Sequence, residues 1–164
     1  MNNLKIYTNN CKEEVINKLQ LQKTHVEYTL GKSLSATSDV GKLREKQEDS
    51  VIIAEHPENE ELKLIAVSDG VGGYSSGEIV SNHIIKKLTL WFENLSLKDF
   101  QDMKELKSQI FVFLYSILDD LPFNPGAATL SCAIIGEKET LITNVGDSRI
   151  YTYKEGKLRN LLLT

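Results

Sequence analysis

Three short stretches gather the residue types that could do chemistry. The first runs Val67-Ser68-Asp69-Gly70-Val71-Gly72-Gly73-Tyr74-Ser75-Ser76-Gly77-Glu78. An apolar run ends there in an aspartate, and a glycine-rich turn leads towards a helix start. A carboxylate at the end of a buried strand is costly unless water, hydrogen bonds or a cation compensate it. The glycines let backbone groups approach a ligand closely, and a strand-to-helix turn also aims amides at an anion. The second stretch is Arg44-Glu45-Lys46-Gln47-Glu48-Asp49-Ser50. Adjacent carboxylates repel and favour a hard cation nearby, and a guanidinium grips phosphate through paired hydrogen bonds. The third, Asn144-Val145-Gly146-Asp147-Ser148-Arg149-Ile150-Tyr151, again sets an acid at a strand end. Taken singly, the first reads more simply as an Asp-Gly turn with a helix cap, the second as a solvated charged loop and the third as a hairpin with an internal ion pair. Together, several aspartates and one arginine are what metal-assisted phosphoryl chemistry needs: oxygen ligands for Mg²⁺ or Mn²⁺, an activated water, and a shield for phosphate charge.

The elements that must carry these stretches read as strands, then two helices, then strands. Lys12 to Leu21 has helical spacing, and Val26 to Ser35 reads as a strand with a turn at Gly31. Val51 to Ala54 and Leu62 to Ser68 are buried-strand runs, the second apolar on both faces and so central in a sheet. A helix is expected from Ser75, with Glu78 completing a capping box and a stripe of Val80, Ile84, Leu88, Trp91 and Leu95. A second is expected from Ser96, carrying Phe100 to Leu121 and stopped by Pro122. Strands follow at Thr129 to Ile135, Thr140 to Val145, Arg149 to Lys154 and Lys157 to Leu163. This order argues for an α+β layered domain, not alternating βαβ units.

The 164 residues suffice for one domain with a core. With 41% hydrophobic and 26% charged residues the mixture is an ordinary globular one, and a net charge of -4 argues against nonspecific nucleic-acid binding. No apolar run is long enough to cross a bilayer, and Met1 to Asn10 has no secretory signature. Cys11 and Cys132 match no zinc spacing; Cys132 reads as a buried small hydrophobe, and a reducing cytoplasm is the expected compartment. His25, His56 and His83 are scattered and suggest no site, His83 being a surface or boundary residue of the first helix.

Four motifs in order carry a resemblance to a known family. They are Thr37-Ser38-Asp39-Val40-Gly41 leading to Arg44 and Glu48-Asp49; Ser68-Asp69-Gly70-Val71-Gly72-Gly73 with Gly77-Glu78; Gly126-Ala127-Ala128-Thr129; and Asn144-Val145-Gly146-Asp147-Ser148-Arg149. The chain resembles, from Thr37 to Thr164, the PPM (type 2C) metal-dependent serine/threonine protein phosphatases. The resemblance implies a four-layer α-β-β-α sandwich, C-terminally incomplete, with residues 1–36 forming an arm and 37–164 the truncated phosphatase domain. It implies that Asp69 bridges two Mn²⁺ or Mg²⁺ ions, that Asp49 holds one, that the Gly70 carbonyl completes the set, and that Asp147 reaches a weaker third ion. Arg44 would bind the substrate phosphate, Glu48 would support Asp49, and a metal-activated water would attack phosphorus. Gly72-Gly73 and Gly126 to Thr129 would be structural. The implied partner is a phosphoprotein substrate, with no nucleic acid or membrane.

Three departures stand out. Tyr74 replaces a histidine common in relatives, and Gln47 replaces an asparagine, a change expected to be small. Relatives also continue beyond the point matching Leu163-Thr164 with an Asp-His-Ser-like segment and two more metal-binding aspartates. Their absence here would leave sheet edges for further strands or a partner chain to cover. A pseudophosphatase, the same fold used as a regulatory binding module, is the alternative reading.

Overall fold

The structure, a computed structural model, describes residues 6–8, 25–30, 34–71, 76–119, 121 and 126–162. The helix expected over Lys12 to Leu21 lies outside them, as do Cys11, Gly72, Gly73, Tyr74, Ser75 and Pro122.

Five strands form one antiparallel sheet in the order β1-β4-β5-β6-β7. They are β1 (Ile6–Thr8), β4 (Asp49–His56), β5 (Asn59–Asp69), β6 (Leu130–Ile135) and β7 (Thr140–Val145). Two hairpins stand apart from it: β2 (His25–Leu30) with β3 (Leu34–Asp39), and β8 (Tyr151–Lys154) with β9 (Lys157–Asn160). The first of these corrects the expectation of a strand ending at Ser35. The pairing runs on to His25 opposite Asp39, which brings β3 to the mouth of the cleft described below.

Leu62 to Ser68 does form the core of β5, third of the five strands, but it is not buried on both faces. Leu62, Leu64, Ala66 and Ser68 are buried, whereas Val67 is 45% exposed. The alternate residues look onto an open cavity of about 600 Å³, lined by Leu34, Val51, Ile65, Val67, Ile150 and Tyr151 among others. An apolar sequence cannot distinguish a packed face from one left facing such a gap.

On the other face lie α1 (Gly77–Asn94) and α2 (Met103–Ser116). Val80, Ile84, Ile85, Leu88 and Phe92 of α1 meet Ile52, Ala54, Leu64, Ala66, Leu130, Cys132 and Ile134 of the sheet in one apolar cluster, which Leu106 and Ile110 of α2 complete. Trp91, expected in the buried stripe, is only partly covered and stacks on Phe113, with centroids 5.3 Å apart. The capping box expected at Ser75 and Glu78 does not start α1. The N-cap position falls on Ser76, whose side chain makes no capping bond, and Glu78 reaches Lys46 Nζ instead at 3.2 Å.

The second helix is shorter at both ends than expected. A 3-10 turn, Asp99–Gln101, comes first, with Asp99 accepting bonds from the Ser96 amide and hydroxyl. Asp102 then caps α2, accepting from the amides of Lys104 at 2.9 Å and Glu105 at 3.1 Å. A second good N-cap in mid-pattern divides what periodicity alone reads as one helix. At the far end α2 stops at Ser116, well before Pro122.

Candidate active site

Asp49 begins β4 and Asp69 ends β5, and the antiparallel register sets them directly opposite each other. Directly opposed residues share a face of the sheet, so the ladder itself brings the two carboxyls together. The Asp49 carboxyl is pushed up from 3.8 to about 6, first by burial, then by the Asp69 charge and a side-chain hydrogen bond with Asp69. The Glu48 charge adds to the rise and Arg44 opposes it.

The cleft around them has a volume of about 470 Å³, and its lining includes Arg44, Glu48, Asp49, Asp69, Gly70 and Asp147. All the singled-out residues therefore face one space, although the sequence separates them widely. Arg44 stands at the rim, its side chain 66% exposed, and pairs with Glu48 at 3.1 Å. Asp147 follows a turn in which Gly146 has φ +94°, and a Cβ there would lie 2.8 Å from the Thr129 methyl. Among the described residues, no three His, Cys, Asp or Glu side chains converge as a ready metal-ligand set. The Asp49–Asp69 pair is the nucleus of the site, and Asp147 belongs to its wall.

The backbone flanking the two acids is held from several sides. The Glu48 carbonyl accepts from the Gly70 amide at 3.1 Å and from the Ser81 hydroxyl at 2.6 Å. Ser81 has a single proton, so Ser50, 3.0 Å away, donates to it. Gly70 is closely enclosed. A Cβ on it would meet the Gly77 carbonyl oxygen in hard overlap and would lie 2.7 Å from the Glu48 oxygen. The Val71 amide bonds Ala127 O at 2.9 Å, and Gly70 bridges to Ala128, so the 126–129 stretch packs against the turn.

Sequence reasoning assigned no role to Asp39, Lys46 or Gln47, which also line the cleft. Gln47 accepts from the Asp49 amide at 3.3 Å and donates to Ser38 Oγ at 2.6 Å, so it positions the acid beside it. Its place directly before the acidic pair was the available signal. His56 and His83, read as outside any site, lie away from this cleft: His56 bonds Leu95 O and His83 bonds Ile117 O.

Two opposed carboxylates, with further carboxylates in the same cleft and no described cysteine or histidine lining it, make an all-oxygen donor set that fits a hard divalent cation. The Asp49 carboxyl is raised first by burial and then by the Asp69 charge, and a bound cation would offset both by favouring the charged form.

The profile of the family described as Protein phosphatase 2C matches residues 34–162. The serine/threonine phosphatase stp of Listeria welshimeri is 29% identical over 133 residues, covering 76% of this chain and 51% of that protein. Among solved structures, the serine/threonine phosphatase Stp1 from Staphylococcus aureus is 28% identical with a TM-score of 0.62, covering 76% of this chain and 50% of that one. The catalytic domain of PstP, solved in complex with two manganese ions, shares the fold at 22% identity and a TM-score of 0.57, covering 84% and 54%. The chain belongs to the protein phosphatase 2C family. It spans about half the length of the curated relatives it matches.

Proposed function

We propose that the complete protein removes phosphate from phosphoserine and phosphothreonine in cytoplasmic phosphoproteins, as part of signalling, with two Mn²⁺ or Mg²⁺ ions and a weaker third. The observation that carries this reading is the opposition of Asp49 and Asp69 in a cleft that also holds Arg44. Family membership and the manganese-bound PstP domain support it. The Asp49 and Asp69 carboxyls and the Gly70 carbonyl would hold the two cations, and Asp147 would hold the third. Such cations, when bound, supply a water of lowered pKa and neutralise phosphate charge.

The chain's own residues do the rest. Arg44, exposed at the rim, binds the phosphate oxygens. Glu48 holds the guanidinium over the cleft between turnovers. Gln47, Ser50 and Ser81 fix the loop that carries Asp49.

Phosphate release from a phosphopeptide by the complete protein, with and without MnCl₂, tests the reading. Manganese-dependent hydrolysis is expected, with a loss of at least 100-fold in Asp69→Asn, the scale seen when charge stabilisation is removed from a transition state (about 10²–10³). Equal activity in Asp69→Asn, or none in the intact protein with Mn²⁺, overturns it. Failure to bind Mn²⁺ together with a stable protein partner would favour the regulatory-module alternative.

A further inference from the structure

We infer that Thr129 is a positioning residue that ties the Asp147 turn to the end of β5, so that Asp69 and Asp147 hold their cations as one unit. The inference rests on the metal-dependent reading above. Thr129 lies directly before β6, is 7% exposed and lines the cleft. Its backbone amide bonds Asp69 O at 2.8 Å, and its carbonyl accepts from Ser68 Oγ at 2.7 Å. Any residue could make those two bonds. What the threonine side chain adds is particular to it.

Its hydroxyl accepts from the Asp69 amide at 3.1 Å and stands 2.7 Å from the Ser148 hydroxyl. One oxygen thus joins the residue bearing the first acid to the neighbour of the second. Its methyl, meanwhile, occupies the space over Gly146 that a Cβ would take. Thr129 therefore holds the turn before Asp147 from one side and the end of β5 at Asp69 from the other. Groups that orient metal ligands without touching the metal change metal affinity by about 10–100-fold when lost.

Thr129→Val keeps the shape and the methyl but removes the hydroxyl, and Thr129→Ser restores it. Calorimetry with MnCl₂ on the complete protein reads the effect directly. We expect Thr129→Val to weaken Mn²⁺ binding by about tenfold or more, and Thr129→Ser to stay within about threefold of the parent. Such rescue is not expected of a residue that merely packs, since serine loses the methyl. Ser148→Ala, which cuts the bridge from its far side, is expected to weaken binding in the same direction and stands in should Thr129→Val not fold. If the parent binds Mn²⁺ and hydrolyses phosphopeptide while the folded variants bind within twofold of it, the bridge is refuted and the function stands. If the parent binds no Mn²⁺, both fall.

Discussion

The electrostatic tension of the site is concentrated at Asp49. Its carboxyl titrates near 6 in the fold against 3.8 ordinarily, because burial and Asp69 both disfavour the charge. The folded state therefore holds that proton more tightly than the unfolded chain. The stability this contributes is complete below about pH 4 and is lost as the pH rises through about 6. In metal-free protein, thermal unfolding followed in EDTA should show the melting temperature falling across that window and levelling above it. Asp49→Asn should abolish this component and melt higher than the parent at pH 7, while losing metal affinity. A parent and variant with the same pH profile would show that the fold does not raise the Asp49 carboxyl. Stability given up at a charge pair kept for a ligand is a common trade in functional sites.

At the scale of elements, α1 does more than cover the sheet. Ser81 reaches from its first turns to the Glu48 carbonyl, and Ser50 and Ser81 are both fully buried. Ser81→Ala leaves the Ser50 hydroxyl without this acceptor and removes one of two donors from Glu48 O. A loss of about 0.5–1.5 kcal/mol in urea unfolding is expected, the net contribution of a hydrogen bond, with weaker metal binding alongside. An unchanged unfolding midpoint would mean that water replaces the serine. This link was not legible in the sequence, where Ser81 is one polar residue in an amphipathic stripe. That Arg44, Glu48, Asp49, Asp69 and Asp147 belong together was legible, because acids at strand ends beside glycines need a reason and the four motifs supplied one; the structure gathers them in one cleft. The strand cores were legible too, from alternation and apolar runs. Element ends were not. Asp102 shows why: a cap competes with a continuing helical pattern, and spacing alone does not decide between them.

At the scale of the whole molecule, the two faces of the main sheet differ. One is closed by α1 and α2, and the other borders the open cavity beneath the two hairpins. The β8–β9 hairpin is exposed along its whole length, with Tyr153 at 73% and Leu158 at 66%. Large apolar side chains there stand in water rather than in a core. The 164-residue chain by itself should enhance the fluorescence of an apolar dye such as ANS at neutral pH, under conditions where its near-UV circular dichroism shows fixed packing. Absence of dye binding would mean that the cavity closes in solution.

The β4–β5 hairpin has a consequence for insertions and deletions. Only Pro57 and Glu58 separate the two strands, at the end remote from Asp49 and Asp69. Residues added at that tip would extend it outward and leave the acids face to face. The register already shifts between Glu55 and His56, but within the regular ladder from Glu55–Lys63 to Asp49–Asp69 a single residue added to either strand, unless a further bulge absorbed it, would turn that strand's acid through to the helical side of the sheet, because side chains alternate with a period of two. Length in this hairpin is thus free at one end and fixed along the rest.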